Sequence, residues 1–289
     1  MMARWVCLTR GDDLLKEILK IFESLRYKRD LWSLYSDFLE MMAIAISNSA
    51  ERYFWPASFE KREQRYLSLA KTYDKEELLK MSEVFNLFVK LQDYNLESQG
   101  AKDILGGLLM QLGLGNKWAG QIFTPDNLAS LLARISCSEE ELKKQIEDMG
   151  FVYASDSAVG GGVTMIGLVN AMLDGGFNPQ RYLLVECGDL DKRACFMTYI
   201  QLATLGIPAI VKNQDTLLNK VFDVWFTPAF YIDGWWFRLK DFKDKEKGES
   251  LAKSKEIIEK REEFIDKKTE RPQEEEEIID EEDEQLSLF

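Results

Sequence analysis

Histidine is absent from all 289 residues. That excludes Ser-His-Asp and Cys-His catalysis, histidine general bases and histidine-ligated zinc. Only four cysteines occur, at 7, 137, 187 and 195, and no two stand in CxxC spacing. No run reaches the roughly 18 apolar residues of a membrane span. The opening MMARWVCLTR is not followed by the apolar segment of a secretory signal. Reduced thiols and a cytoplasmic location are expected, with no membrane partner. Basic excess is lacking too: 37 Lys and Arg face 50 Asp and Glu, a net charge of −13. Nine of those acids lie between Glu274 and Glu284, so the remainder is only mildly acidic. Non-specific nucleic-acid binding by counterion release is not expected of such a body.

What is present is 46% hydrophobic and 12% aromatic, enough for a globular core. Residues 1–115 read as a helical N-terminal domain. Leu14, Leu15, Ile18, Leu19, Phe22 and Leu25 keep helical spacing, as do Leu31, Leu34, Tyr35, Phe38, Met41 and Met42. Further amphipathic stretches cover 59–72, 75–91 and 101–112. Residues 116–240 change character. Short apolar strands at 151–154, 182–186, 207–211 and 222–226 alternate with helical stretches, the mark of a parallel α/β sheet. Tyr231 to Leu239 offers one further strand or hairpin. Residues 241–271 read as a charged helix, and 272–289 as an acidic tail too poor in apolar surface to order itself.

Three polar clusters follow successive strands. Asp156 to Gly162 forms a glycine loop between a strand and a helix, where the backbone can turn tightly and a helix N-terminus offers free N–H groups. Asp189, with Asp191 as a competitor, follows the second strand, where an acid can take ribose hydroxyls. Asn213-Gln214-Asp215 follows the third. Ligands of open α/β sheets bind at these strand ends.

In this order the segments resemble a family. Gly120-Gln121-Ile122-Phe123-Thr124-Pro125 is similar to the GQ[FY][FY]TP motif of N6-adenine DNA methyltransferases, above all the modification subunits of type I restriction-modification systems. Asp156 to Gly162 matches the family's DPACGxG loop, and Asn213 to Leu217 its GD[ST]L segment. The resemblance spans about residues 100–230 and implies a truncated Rossmann-like methyltransferase domain with S-adenosylmethionine as cofactor. Gln121, Phe123, Thr124 and Pro125 would line its methionine end. Asp156, Ala158, Gly160 and Gly162 would wrap it, Asp189 would take the ribose and Asp215 the adenine edge. The family's catalytic [ND]PP[FY] is replaced by Thr227-Pro228-Ala229-Phe230. Thr227, Pro228 and Phe230 hold the catalytic positions, but threonine is a poor acceptor for the adenine amine. The family's sheet has three more strands and a target-recognition region or subunit, against which only Tyr231 to Leu239 offers a further strand or hairpin, so DNA would be reached through a second subunit.

Gln285-Leu286-Ser287-Leu288-Phe289 resembles the peptide that docks into the bacterial DNA polymerase sliding clamp. An apolar pentapeptide after an acidic tether suits a partner's pocket. It implies a bacterium, its plasmid or its phage. Three functions follow: a weakly active or inactive methyltransferase homologue tethered to the clamp, a catalytically dead regulator or restriction decoy, or a clamp-binding scaffold.

Overall fold

The computed structural model describes residues 2–115 and 126–245. Five helices come first: α1 (Met2–Arg26), α2 (Leu31–Phe54), α3 (Pro56–Ala70), α4 (Lys75–Ser98) and α5 (Ile104–Gln111). Their starts are set by side chains that accept the unpaired first-turn N–H groups. Asp30 accepts from Ser33 N, Asp103 from Gly106 N, and Asp74 and Glu77 form a reciprocal capping box. The apolar spacing predicted for the first two helices becomes their buried faces, with Phe22, Leu34, Tyr35 and Phe38 all nearly inaccessible.

After α6 (Asp126–Ser136) and α7 (Glu139–Met149) the chain enters the sheet. The order is β1 (Val152–Asp156), α8 (Val163–Asp174), α9 (Pro179–Tyr182), β2 (Leu183–Asp189), α10 (Lys192–Thr204), β3 (Ala209–Asp215) and β4 (Lys220–Phe226). The protein is therefore mixed α/β with a helical N-terminal region. The four strands lie side by side in chain order. β1 to β3 are parallel, as expected, and β2 is inaccessible over its first six residues, as a strand covered on both faces must be. Residues before 115 and the sheet share one hydrophobic cluster. Tyr35 of α2 joins them directly: its hydroxyl donates to the Leu105 carbonyl and contacts Met197 Sδ of α10.

Two expectations need correction. β4 does not continue the parallel sheet; it pairs antiparallel with β3. Only residues 216–219 separate the two strands, whereas a parallel crossover needs a dozen or more. Tyr231 to Leu239 is not a strand or hairpin either. It falls in α11 (Pro228–Ile232) and α12 (Trp235–Lys245). Thr227 at the N-cap and Pro228 at the first helical position start a helix that overrides the strand preference of the aromatics. Trp235 and Phe230 are then core residues, and Trp235 stands edge-on to Phe151. Residues 246–289, which hold the rest of the charged segment and the tail, lie outside the described residues.

Candidate functional site

The carboxyl ends of β1, β2 and β3 meet, and the three polar clusters meet with them. The chain leaves β1 at Asp156, whose Oδ1 accepts from Ala158 N at 3.0 Å and Oδ2 from the Thr164 hydroxyl at 2.8 Å. One carboxylate thus clamps both ends of the glycine loop. Val159 N donates to the Gly188 carbonyl at 3.0 Å, and Gly160 N donates to Asp189 Oδ2 at 3.0 Å. The third cluster closes the group. Asn213 Nδ2 donates to the Asp189 and Leu190 carbonyls, and the Thr216 hydroxyl to the Ser157 carbonyl.

The loop needs its glycines. Gly160 has φ +57° and Gly162 φ +90°, both in the left-handed region. A Cβ on Gly162 would stand 2.9 Å from Thr198 Oγ1 and 3.3 Å from Thr198 Cα. A Cβ on Gly160 would meet nothing within 4 Å. The loop is pressed against α10 on one side and open on the other.

Donors and acceptors at the open side suit a nucleoside. Asp189 spends one acceptor position of each oxygen, on Gly160 N and Asp191 N, and keeps others for a ribose diol. Gly162 is the N-cap of α8 and brings no side-chain cap, the kind of helix start whose first-turn N–H groups can take a ligand. Asp191 instead caps α10 through Arg193 N and pairs with the Arg193 guanidinium. Asp215 lies at the same end, with Oδ1 accepting from Leu218 N in the β3–β4 turn. Beneath the site, burial and then the Asp189 carboxylate push the Cys195 thiol up to about 12. It stays neutral, and its one S–H lies within reach of the Lys212 carbonyl at 3.2 Å and the Asp189 carbonyl at 3.4 Å. No group of three or more metal-ligating side chains occurs among the described residues.

Asp156, Ala158, Gly160, Gly162, Asp189 and Asp215 therefore come together. Gln121, Phe123, Thr124 and Pro125 lie outside the described residues, as do 285–289. The catalytic assignment does not hold. Thr227, Pro228 and Phe230 follow β4, which runs back to the opposite end of the sheet. Thr227 N donates to the carbonyl of Ala209, the first residue of β3, whereas the glycine loop is bonded to Gly188 and Asp189, which pair with Lys212 and Asn213 further along that strand. Three to four residues along β3, roughly 10–13 Å, and two strand spacings across the sheet, roughly 10 Å, separate them. Thr227 is fully buried; its hydroxyl donates to the Ile207 carbonyl and accepts from Ala209 N. Phe230 packs in the core against Phe226. Pro228 lines a different groove of about 660 Å³, with Arg181, Gly206, Ala229, Ile232 and Arg238. Sequence reasoning also missed Asp103, Thr198 and Gln201, which support the loop from behind.

No family model and no curated protein matches this chain. Among solved structures it is similar to one named as a class I S-adenosylmethionine-dependent methyltransferase from Listeria monocytogenes. The identity is 15% and the TM-score 0.40, over 73% of this chain and 56% of that one. It is also similar to the type I restriction-modification methyltransferase subunit of Streptococcus thermophilus. There the identity is 14% and the TM-score 0.34, over 72% of this chain and 59% of that one. The chain thus spans less than two thirds of either structure. Among the described residues no helix is long and apolar enough to cross a membrane.

Proposed function

We propose that this chain binds S-adenosylmethionine at the glycine loop and does not by itself transfer the methyl group. The observation that carries the reading is the convergence of the glycine loop, Asp189 and Asn213 at one end of three parallel strands, with Asp189 bonded to the loop backbone. The cofactor would supply an electrophilic methyl group. Gly160, Gly162 and the first turn of α8 would lie along it, Asp189 would take the ribose hydroxyls and Asp215 would face the adenine. Methylating an exocyclic adenine amine also needs a fixed acceptor that aims the nitrogen lone pair. Thr227 cannot be that acceptor, because its hydroxyl is buried and spent on the backbone at the other end of the sheet. A methyl transfer would need an acceptor other than Thr227.

The chain is then a cofactor-binding relative of adenine methyltransferases, acting as a regulator or decoy. Residues 285–289 would hold it at the replication clamp and so near DNA. The test is a pair of assays on the full chain. S-adenosylmethionine should raise the melting temperature, while tritiated methyl transfer to mixed genomic DNA stays at background. Robust incorporation overturns the reading. A clamp pull-down that survives deletion of residues 285–289 removes the tether.

A further inference from the structure

The glycine loop is held from behind by two side chains of α10 that no motif singles out. Thr198 and Gln201 stand one turn apart on the same helix face. The Thr198 hydroxyl donates to the Gly160 carbonyl at 2.9 Å, and Gln201 Nε2 donates to the Gly161 carbonyl at 2.7 Å. Two consecutive carbonyls of the loop are thereby pinned to α10. In a trans peptide the C=O and the next N–H point in opposite directions. Pinning the Gly160 carbonyl therefore turns the Gly161 N–H away from α10.

Gln201 does more than hold the loop. It is 1% exposed, and its amide is fully used. Nε2 also donates to Asp103 Oδ1 at 2.9 Å, while Oε1 accepts from Ile104 N at 2.7 Å and Leu105 N at 3.1 Å. Those three residues form the start of α5, in the helical half of the protein. Asp103 touches the loop as well, for a Cβ on Gly161 would come within 2.6 Å of its Oδ2. The Gln201 backbone carbonyl accepts from Gln92 Nε2 of α4 at 3.1 Å. One buried amide thus joins the first turn of α5, the N-cap carboxylate and the ligand loop. An amide has two donor and two acceptor positions, and no other neutral side chain of this length reproduces them.

We infer that Gln201 is a positioning residue: it sets the shape of the glycine loop and makes that shape depend on the helical half through Asp103. The consequence for S-adenosylmethionine rests on the proposed function; the coupling of the loop to α5 does not. A change at the start of α5 is transmitted to the loop, which gives a partner of the helical half a route to the ligand site.

The experiment uses the full chain labelled with ¹⁵N-glycine, observed without ligand, and isothermal titration with S-adenosylmethionine. Gln201→Met keeps side-chain length and removes all four hydrogen bonds. The amide signals of Gly160, Gly161 and Gly162 should shift or broaden, while those of Gly150 and Gly234 stay in place. Affinity should fall tenfold or more. Asp103→Ala, which leaves α10 and the loop sequence intact, should move the same three signals in the ligand-free protein and keep a cooperative melt. If either variant melts cooperatively with the loop signals unmoved, the inference is overturned. If the signals move in both variants but the unaltered chain binds no S-adenosylmethionine, the positioning stands and the cofactor reading fails. If the unaltered chain binds and Gln201→Met binds equally well, the positioning role fails and the cofactor reading stands.

Discussion

Gly162→Ala tests the geometry of the glycine loop with one added methyl group. Gly162 has φ +90°, and its Cβ would meet Thr198 Oγ1 at 2.9 Å and Thr198 Cα at 3.3 Å. A side chain forced into the left-handed region costs about 1–2 kcal/mol. The contact with Thr198 cannot relax freely, because the Cα belongs to the α10 backbone. Displacing the hydroxyl breaks its bond to the Gly160 carbonyl, another ~0.5–1.5 kcal/mol. The sum is about 1.5–3.5 kcal/mol, or a melting temperature lower by roughly 3–14 °C for a unit of this size. Gly107→Ala is the control. Gly107 lies within α5, and a Cβ there meets nothing within 4 Å. The same substitution should stabilise by about 0.5–1 kcal/mol, through helix propensity and a less flexible unfolded chain. Both variants would be melted by circular dichroism beside the unaltered chain. A Gly162→Ala protein as stable as its parent, or a Gly107→Ala protein losing as much, refutes the reasoning.

Three further outcomes are expected. Arg62→Leu should destabilise by about 3–5 kcal/mol in denaturant titration, since it strips the inaccessible Glu51 carboxylate of the guanidinium at 3.2 Å; Glu51→Leu added to it should recover most of the loss. The Arg29 side chain holds the Glu77 carboxyl below its usual range, so the unfolded chain binds the proton more readily and stability falls with pH below about 4.3; Arg29→Met should flatten that acid limb of the stability curve. Burial raises the Cys187 and Cys195 thiols, so mass spectrometry should find both unalkylated after native iodoacetamide treatment at pH 8 and modified once the protein is unfolded.

Much of this architecture was legible because periodicity survives folding. The spacing of Leu31, Leu34, Tyr35 and Phe38 became one buried face of α2, and the apolar run at 182–186 became the core of β2. The glycine loop could be placed because strand, glycines and helix follow one another without interruption. The hairpin was less legible. Asn213, Gln214 and Asp215 read as the loop after a strand, yet they are its last three residues, paired with Asp223, Val221 and Lys220. Their backbones join the ladder while the Asn213 side chain reaches the Asp189 and Leu190 carbonyls, which polarity alone cannot reveal. Once both strands are lengthened, four residues remain between them and antiparallel pairing follows. That extension reversed β4 and took Thr227 away from the loop. Gln201 left no trace at all, because a glutamine within a helix normally signals a solvated face. Its partners lie 40 and 98 residues away in the chain, at Gly161 and Asp103.

The proposed function requires Asp189 and the glycine loop to hold S-adenosylmethionine. Isothermal titration of the full chain, beside its Asp189→Ala variant, tests it most directly. Two hydroxyl donors meeting an ionised carboxylate contribute on the order of 1.5–3 kcal/mol each, so the variant should bind at least tenfold more weakly. One cofactor per chain, with that loss in Asp189→Ala, is the predicted result. No heat at millimolar ligand, or equal affinity in the two proteins, would contradict it.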